Sequence, residues 1–204
     1  MFDFTVENSA LVMIDHQVGT IDWTGALDPA EREQIKTWAK FLLRFAKEAG
    51  MPIVMTSSME TQAQGRLLPE FEEIAPAEYA ARIQRDGVIN AWEDVNFANA
   101  VRNTGKKHLL MAGLTTEVCL VPPALSAVKE GFKVAALLDA SGGNTRLGED
   151  YAERVLDKAG VLIATTMPLL TGMLGNWTNP ASAAFFAAAA QNDIFALQAK
   201  GNVR

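Results

Sequence analysis

The chain has 204 residues, 49% hydrophobic and 21% charged, which is enough apolar material for one sizeable core and makes a single domain the default. Eighteen Lys and Arg stand against 24 Asp and Glu, a formal net charge of -6, so binding to nucleic acid or an anionic membrane has no electrostatic basis and a small molecule is the expected ligand. A single cysteine excludes an internal disulfide and fits a reducing compartment, and no basic-then-apolar leader follows Met1, so the expected location is the cytoplasm.

Short apolar runs with β-branched residues alternate with longer amphipathic stretches, the rhythm of a parallel sheet covered on both faces. ALVMI at 10–14 predicts a first strand that ends on Asp15. Asp28-Pro29 supplies an N-cap and an N1 proline, and Ile35, Trp38, Leu42 and Phe45 mark the apolar stripe of a helix that stops at Gly50. PIVMT at 52–56 predicts strand two, a polar loop with Gly65 and Pro69 follows, and a weaker third strand is expected around 79–83. A helix over about 93–103 stops at Gly105, strand four covers 108–112, and 113–118 is a turn into a helix that reaches Gly131. Residues 133–138 read as strand five, about 149–159 as a helix and 161–165 as strand six.

Asn179-Pro180 then opens an Ala-rich helix carrying Phe185, Phe186, Ile194, Phe195 and Leu197. Its most apolar stretch, 183–190, is far shorter than the roughly 20 residues of a membrane span. The six strands already have their covering helices. Residues 176–204 are therefore expected to be an extension of a 1–175 domain that packs on a neighbouring subunit.

Open α/β sheets bind ligands beyond the carboxyl ends of their strands, where strand order reverses. In a 3-2-1-4-5-6 sheet, strands one and four meet at that point, which brings Asp15 and Cys119 to the same crevice. A cysteine in a turn leading into a helix meets unpaired N–H groups and the positive dipole end, so its thiol pKa is expected to be lowered and the same N–H groups could hold an oxyanion. Taken alone, a lone cysteine also reads as a small buried hydrophobe.

GLTTEVC at 113–119 resembles the nucleophile turn of the isochorismatase-like (cysteine) hydrolase superfamily. VMIDHQ at 12–17 resembles that family's first catalytic strand, GVINAW at 87–92 its middle segment, and PALSAVKEG at 123–131 with LDAS at 138–141 the helix and strand after the nucleophile. The resemblance covers about residues 8–170 and is greatest to the YcaC-type subgroup of multimeric hydrolases. It implies a three-layer α/β/α Rossmann-like sandwich with a six-stranded parallel sheet, and a homo-oligomer, for example an octamer.

The resemblance also implies a catalytic trio of aspartate, lysine and cysteine. Asp15 and Cys119 match two positions, and Arg85 falls where most relatives carry lysine, with Arg82 a neighbouring alternative. Arginine can hold a carboxylate but cannot shuttle a proton, so Asp15 must carry the proton chemistry. A cis peptide at Leu114-Thr115 and an oxyanion hole from the Thr115 and Cys119 N–H groups carry over in the same way. Gln17 matches a pocket position, or is a solvated loop residue. Asn90 and Trp92 either shape the pocket or start the next helix.

His108 opens strand four and is expected about 15 Å from the crevice, at roughly 3.3 Å per residue. His16 should turn away from Asp15 by strand alternation. Neither histidine is spaced as a ligand pair, so no metal and no cofactor are expected. The expected reaction is hydrolysis of a small amide, ureide or related C–N compound through a covalent Cys119 intermediate. The alternative is a redox-sensing, non-hydrolytic oligomer on the same scaffold.

Overall fold

In a computed structural model the described residues are 3–24, 29–192 and 194. Six strands, β1 (Ser9–Ile14), β2 (Ile53–Ser58), β3 (Ile83–Arg85), β4 (His108–Gly113), β5 (Lys133–Leu137) and β6 (Leu162–Ala164), form one all-parallel sheet in the order β3-β2-β1-β4-β5-β6. Among the described residues the helices are α1 (Thr20–Trp23), α2 (Pro29–Glu48), α3 (Pro69–Ile74), α4 (Pro76–Ala80), α5 (Val95–Asn103), α6 (Val121–Lys129), α7 (Arg146–Lys158), α8 (Thr166–Leu174) and α9 (Ser182–Gln191). None is long and apolar enough to cross a membrane.

Alternation along the buried strands divides the interior into two layers. Leu11 and Met13 of β1, with Leu110, Ala112, Ala135 and Leu137, pack under Trp38, Phe41, Leu42 and Phe45 of α2, Leu169 and Leu170 of α8 and Phe185 of α9. Ala10, Val12 and Ile14, with Leu109, Met111, Val134 and Ala136, pack under Phe97 and Val101 of α5, Ala124 and Ala127 of α6, and Ala152 and Leu156 of α7. Burying one such side chain stabilises by about 1.5–3 kcal/mol, so the central pair β1–β4, apolar on both faces, anchors the sheet. Side chains set the helix starts: Asp94 accepts the Asn96 and Phe97 N–H groups at α5, and Thr145 accepts the Gly148 N–H at α7.

Two segments differ from the sequence reading. The third strand lies at 83–85, because Pro76 at N1 and the alanines behind it turn 76–80 into α4, and only Ile83, Gln84 and Arg85 pair with β2. Residues 166–174, not anticipated as helical, form α8, whose first turn is held by Asp139 accepting the Thr166 N–H and hydroxyl and whose end is set by Gly175 at φ 64°.

In the C-terminal tail, Ser182–Gln191 lies on α2 of its own chain, with Phe185 edge-on to Phe41 at 5.4 Å and the Asn192 amide donating to the Thr37 carbonyl at 2.8 Å. The cause is that α2 presents an apolar stripe wider than the sheet can cover, and the small alanines of α9 let the two helices approach. Trp177 and Phe186 remain about half exposed on the outer edge. Asp28, Phe195 and Leu197 lie outside the described residues.

Candidate active site

β1 ends on Asp15, which has φ 56° and is 1% exposed. Aspartate is among the few residues with a side chain that tolerate the left-handed region. The conformation is enforced on both sides: the Asp15 N–H donates to the Thr56 carbonyl, and the Asp15 carbonyl accepts from the Gln17 N–H and the Thr20 hydroxyl. Strand alternation therefore breaks here, and the carboxylate meets the end of β3.

There the Arg85 guanidinium, 2% exposed, donates from Nη2 to both carboxylate oxygens of Asp15. Its Nε donates to Thr56 Oγ1 at 3.0 Å, and its Nη1 donates to the Val88 carbonyl and, at 3.4 Å, to that of Ile89. Every donor-bearing nitrogen is occupied. Arg82, the alternative, faces elsewhere: it pairs with Glu60 through Nε at 2.6 Å and Nη2 at 2.9 Å and lies over the Tyr79 ring.

Cys119 lies beyond β4 in a wide turn, Thr116–Leu120, of the five-residue π type that often marks functional sites. Its thiol donates to the Asp15 carboxylate. The peptide between Leu114 and Thr115 is cis. The turn is fixed from two directions. Leu114 N–H donates to the Ile14 carbonyl, tying it to β1, while Gly113 N–H donates to Ser141 Oγ and Thr116 N–H to the Gly142 carbonyl, tying it to the segment after β5. Gly113 permits this close approach, since a Cβ there would lie 3.2 Å from Leu120 Cβ and 3.3 Å from Ile14 Cβ.

Electrostatics set the resting protonation. Burial pushes the Cys119 thiol above its ordinary value and the charge of Asp15 adds to this, with Arg85 opposing. Burial also raises the Asp15 carboxyl above its ordinary value, the Arg85 contacts and the thiol hydrogen bond offsetting only part of that rise. The Arg85 fork on both carboxylate oxygens favours the carboxylate, so the shared proton rests on sulfur. This corrects the expectation of a lowered thiol pKa. Cys119 lies inside the turn Thr116–Leu120, two residues before α6; its own N–H is taken by the Thr115 carbonyl at 2.7 Å, and the backbone N–H of Thr115, which favours the thiolate, is outweighed by burial and by Asp15.

The family model for the isochorismatase domain matches residues 9–167. The chain belongs to the isochorismatase family. It is 36% identical over 172 residues to the probable hydrolase YcaC of Escherichia coli strain K12, covering 84% of this chain and 80% of that one. Two solved structures superpose over nearly the whole chain. YcaC from Pseudomonas aeruginosa with hexane-2,5-diol and covalent acrylamide gives a TM-score of 0.85 at 30% identity, covering 98% of each chain. The Escherichia coli YcaC gene product, described as an octameric hydrolase of unknown specificity, gives 0.84 at 30% identity, covering 98% of this chain and 97% of that one. As an isochorismatase-family hydrolase, the chain carries Asp15 paired with Arg85 and next to Cys119 at the switch point of the sheet.

Three other residues singled out from the sequence are held by contacts around the site in this isochorismatase fold. Gln17 is fully buried, and its amide is saturated: Nε2 donates to the Ser58 and Gly65 carbonyls, and Oε1 accepts the Ser58 N–H at 2.9 Å. It pins the loop after β1 to the loop after β2. Asn90 caps the turn Ala91–Glu93 by accepting the Trp92 N–H, and also donates to Ser126 Oγ at 3.1 Å. Trp92 packs on Phe97 and Phe132 and donates its indole N–H to Glu130 at 2.9 Å, on the α5–α6 layer. For Asn90 and Trp92 the geometry matches the helix-start alternative.

His16 turns away from Asp15 towards Phe71, and its Nε2–H donates to the Ala140 carbonyl at 2.8 Å. Burial pushes its pKa down to about 4, so it is neutral. His108, at the far end of β4, lies edge-on to Phe4 at 5.1 Å. Among the described residues no group of three or more His, Cys, Asp or Glu is placed to hold a metal ion. Sequence reading missed Thr56, Ser141 and His16 as supports of the site. Of these only Ser141 carried a signal, as the end of the LDAS stretch.

Proposed function

We propose that the chain hydrolyses a small amide, ureide or related C–N compound through a covalent intermediate on Cys119. The observation that carries the reading is the buried thiol–carboxylate–guanidinium contact, in which Asp15 is ionised, oriented on both oxygens by Arg85, and in hydrogen-bond contact with the thiol. Asp15 takes the thiol proton as sulfur attacks the carbonyl carbon, and the carbonyl π electrons move to oxygen. N–H groups of the turn at Thr115 and Cys119 face that oxyanion, the Cys119 N–H shifting from its bond to the Thr115 carbonyl. Asp15 then gives the proton to the leaving nitrogen, the C–N bond breaks, and a thioester remains. Water, deprotonated by Asp15, attacks the thioester, and the C–S bond breaks to regenerate the thiol. Amide and water become acid and amine.

Covalent acrylamide in the Pseudomonas aeruginosa relative supports the reading, because forming that bond requires a protein nucleophile within reach of a small molecule. A redox sensor wants a thiol that ionises easily, whereas burial and Asp15 hold this one protonated. No metal or nucleotide cofactor enters the scheme, and a reducing cytoplasm suits a working thiol. We further infer a homo-oligomer, an octamer in keeping with the Escherichia coli relative, with the exposed edge of Trp177 and Phe186 available to a neighbour.

The test is a panel of small amides and ureides scored for release of ammonia or amine, with intact-protein mass spectrometry for an acyl adduct. Turnover by the wild type and none by Cys119→Ala is expected. Oxidised thiol as the sole modification, with no adduct from any substrate, overturns the reading. Sedimentation tests the assembly, and a single species of monomer mass overturns that part.

A further inference from the structure

The charges at the centre cancel. Arg85 directs its guanidinium nitrogens to Asp15, Thr56 and the carbonyls of Val88 and Ile89, so no donor is left to receive a carboxylate on a bound molecule. Arg82, the other cation of this strand, is held bidentately by Glu60. On the side of Thr116 a pocket of about 250 Å³ contains Arg146 together with Glu149, Asp150 and Glu153, an excess of negative charge. A substrate anion would meet the Asp15 carboxylate with the Arg85 charge already paired, the cation beside Val18, Arg66, being exposed on the loop after β2, and an unpaired buried charge is strongly disfavoured.

Exposed apolar side chains stand in the loops at the carboxyl end of the sheet. Val18 follows β1 and is 45% exposed, Met59 follows β2 at 39%, Val88 and Ile89 follow β3 at 38% and 65%, and Val118 adjoins Cys119 at 40%. Single exposed apolar residues are ordinary on any surface. Here the three loops after β1, β2 and β3 and the catalytic turn each contribute one or two, all at the carboxyl end of the sheet. They are tied to the centre: the Val88 and Ile89 carbonyls bind Arg85, and the Met59 N–H donates to the Arg85 carbonyl.

We propose that this site selects uncharged substrates with a short apolar acyl group, and excludes compounds that carry a carboxylate. The acyl part rests on the hydrolase reading above; the selection against charge does not.

Cys119 is the chain's one cysteine, so thiol-directed reagents report on it alone. The assembled wild-type protein is treated with methyl, 2-sulfonatoethyl and 2-aminoethyl methanethiosulfonate, which are neutral, anionic and cationic. Each second-order rate is divided by that of the same reagent with a small neutral thiol at the same pH. The neutral reagent is expected to exceed each charged one by at least about tenfold, the scale of about 1.4 kcal/mol of selection. Ile89→Lys is expected to raise the anionic rate relative to the neutral one at least about fivefold on the same scale of free energies. Charged reagents that match the neutral one in the wild type, or an anionic-to-neutral ratio unmoved by Ile89→Lys, overturn the proposal.

Turnover separates it from the hydrolase reading. Neutral selectivity without ammonia release from butyramide removes the hydrolase and leaves the selection standing. Faster ammonia release from succinamate than from butyramide keeps the hydrolase and overturns the selection.

Discussion

Replacing Arg85 with glutamine removes the one cation that touches Asp15 while leaving the carboxyl just as buried. Two influences that lower the Asp15 pKa disappear, its charge interaction and its hydrogen bonds with Arg85, and the one that raises it stays. A unit charge at about 4 Å with an effective dielectric of about 20 is worth about 4 kcal/mol. Its loss raises the first macroscopic pKa of the Asp15–Cys119 pair. The sulfur can pass its proton to Asp15 only while Asp15 is a carboxylate, so reactivity rises with pH through that value. The assay is the iodoacetamide rate of Cys119 against pH. Its acid limb is expected to move to higher pH in Arg85→Gln, with a loss of up to about a thousandfold, the scale of about 4 kcal/mol, where the wild type is on its plateau. Arg85→Lys restores the charge without the fork and is expected to fall between. Arg82→Gln is expected to leave the limb in place, because Arg82 pairs with Glu60. An unmoved limb in Arg85→Gln, or an equal movement in Arg82→Gln, refutes the reasoning.

Asp15→Asn is expected to lower the thiol pKa, since a charge that raises it is gone, yet to cost turnover about 10²–10⁴-fold through loss of the base; alkylation and turnover measured on one preparation check both. His16 is neutral when folded, with a pKa of about 4 against 6.5 in its ordinary state, so its contribution to stability is complete above pH 6.5 and is lost as pH falls to about 4. That shift corresponds to about 3 kcal/mol, and urea unfolding of wild type and His16→Gln across that window should show the slope vanish in the variant. Thr56→Val leaves the buried Nε of Arg85 without its acceptor and is expected to destabilise by about 1–3 kcal/mol, read from the urea midpoint at unchanged slope. Exhaustive chelation is expected to leave turnover unchanged, and activity lost and then restored by zinc or iron would show that a metal takes part.

The positions of β1, β2, β4 and β5 were legible because each is a short apolar run bounded by turn residues, and a strand buried on both faces leaves that trace in any sequence. The third strand was not. It pairs over only three residues, and the proline-started helix beside it carried the stronger local signal. The C-terminal helix was legible as a helix, but its partner was not. Apolar periodicity reports that a face is buried without reporting against what, and α2 of the same chain supplies the surface.

The same division runs through the site. Asp15, Arg85 and Cys119 could be named from strand ends and motif resemblance, since residue type and order along the chain are properties of the sequence itself. Local rules went wrong at the thiol: a cysteine in a turn before a helix reads as activated, whereas the wide turn, burial and the facing carboxylate keep it protonated. Gln17 and Trp92 each left two readings open, because a polar or aromatic side chain near a motif does not disclose its hydrogen-bond partners. The sequence by itself determined the order of the elements and the chemical groups available to the site. Only the tertiary structure decided which of those groups touch and which proton rests where, because desolvation and charge pairing depend on distances between residues as far apart in the chain as Asp15 and Arg85.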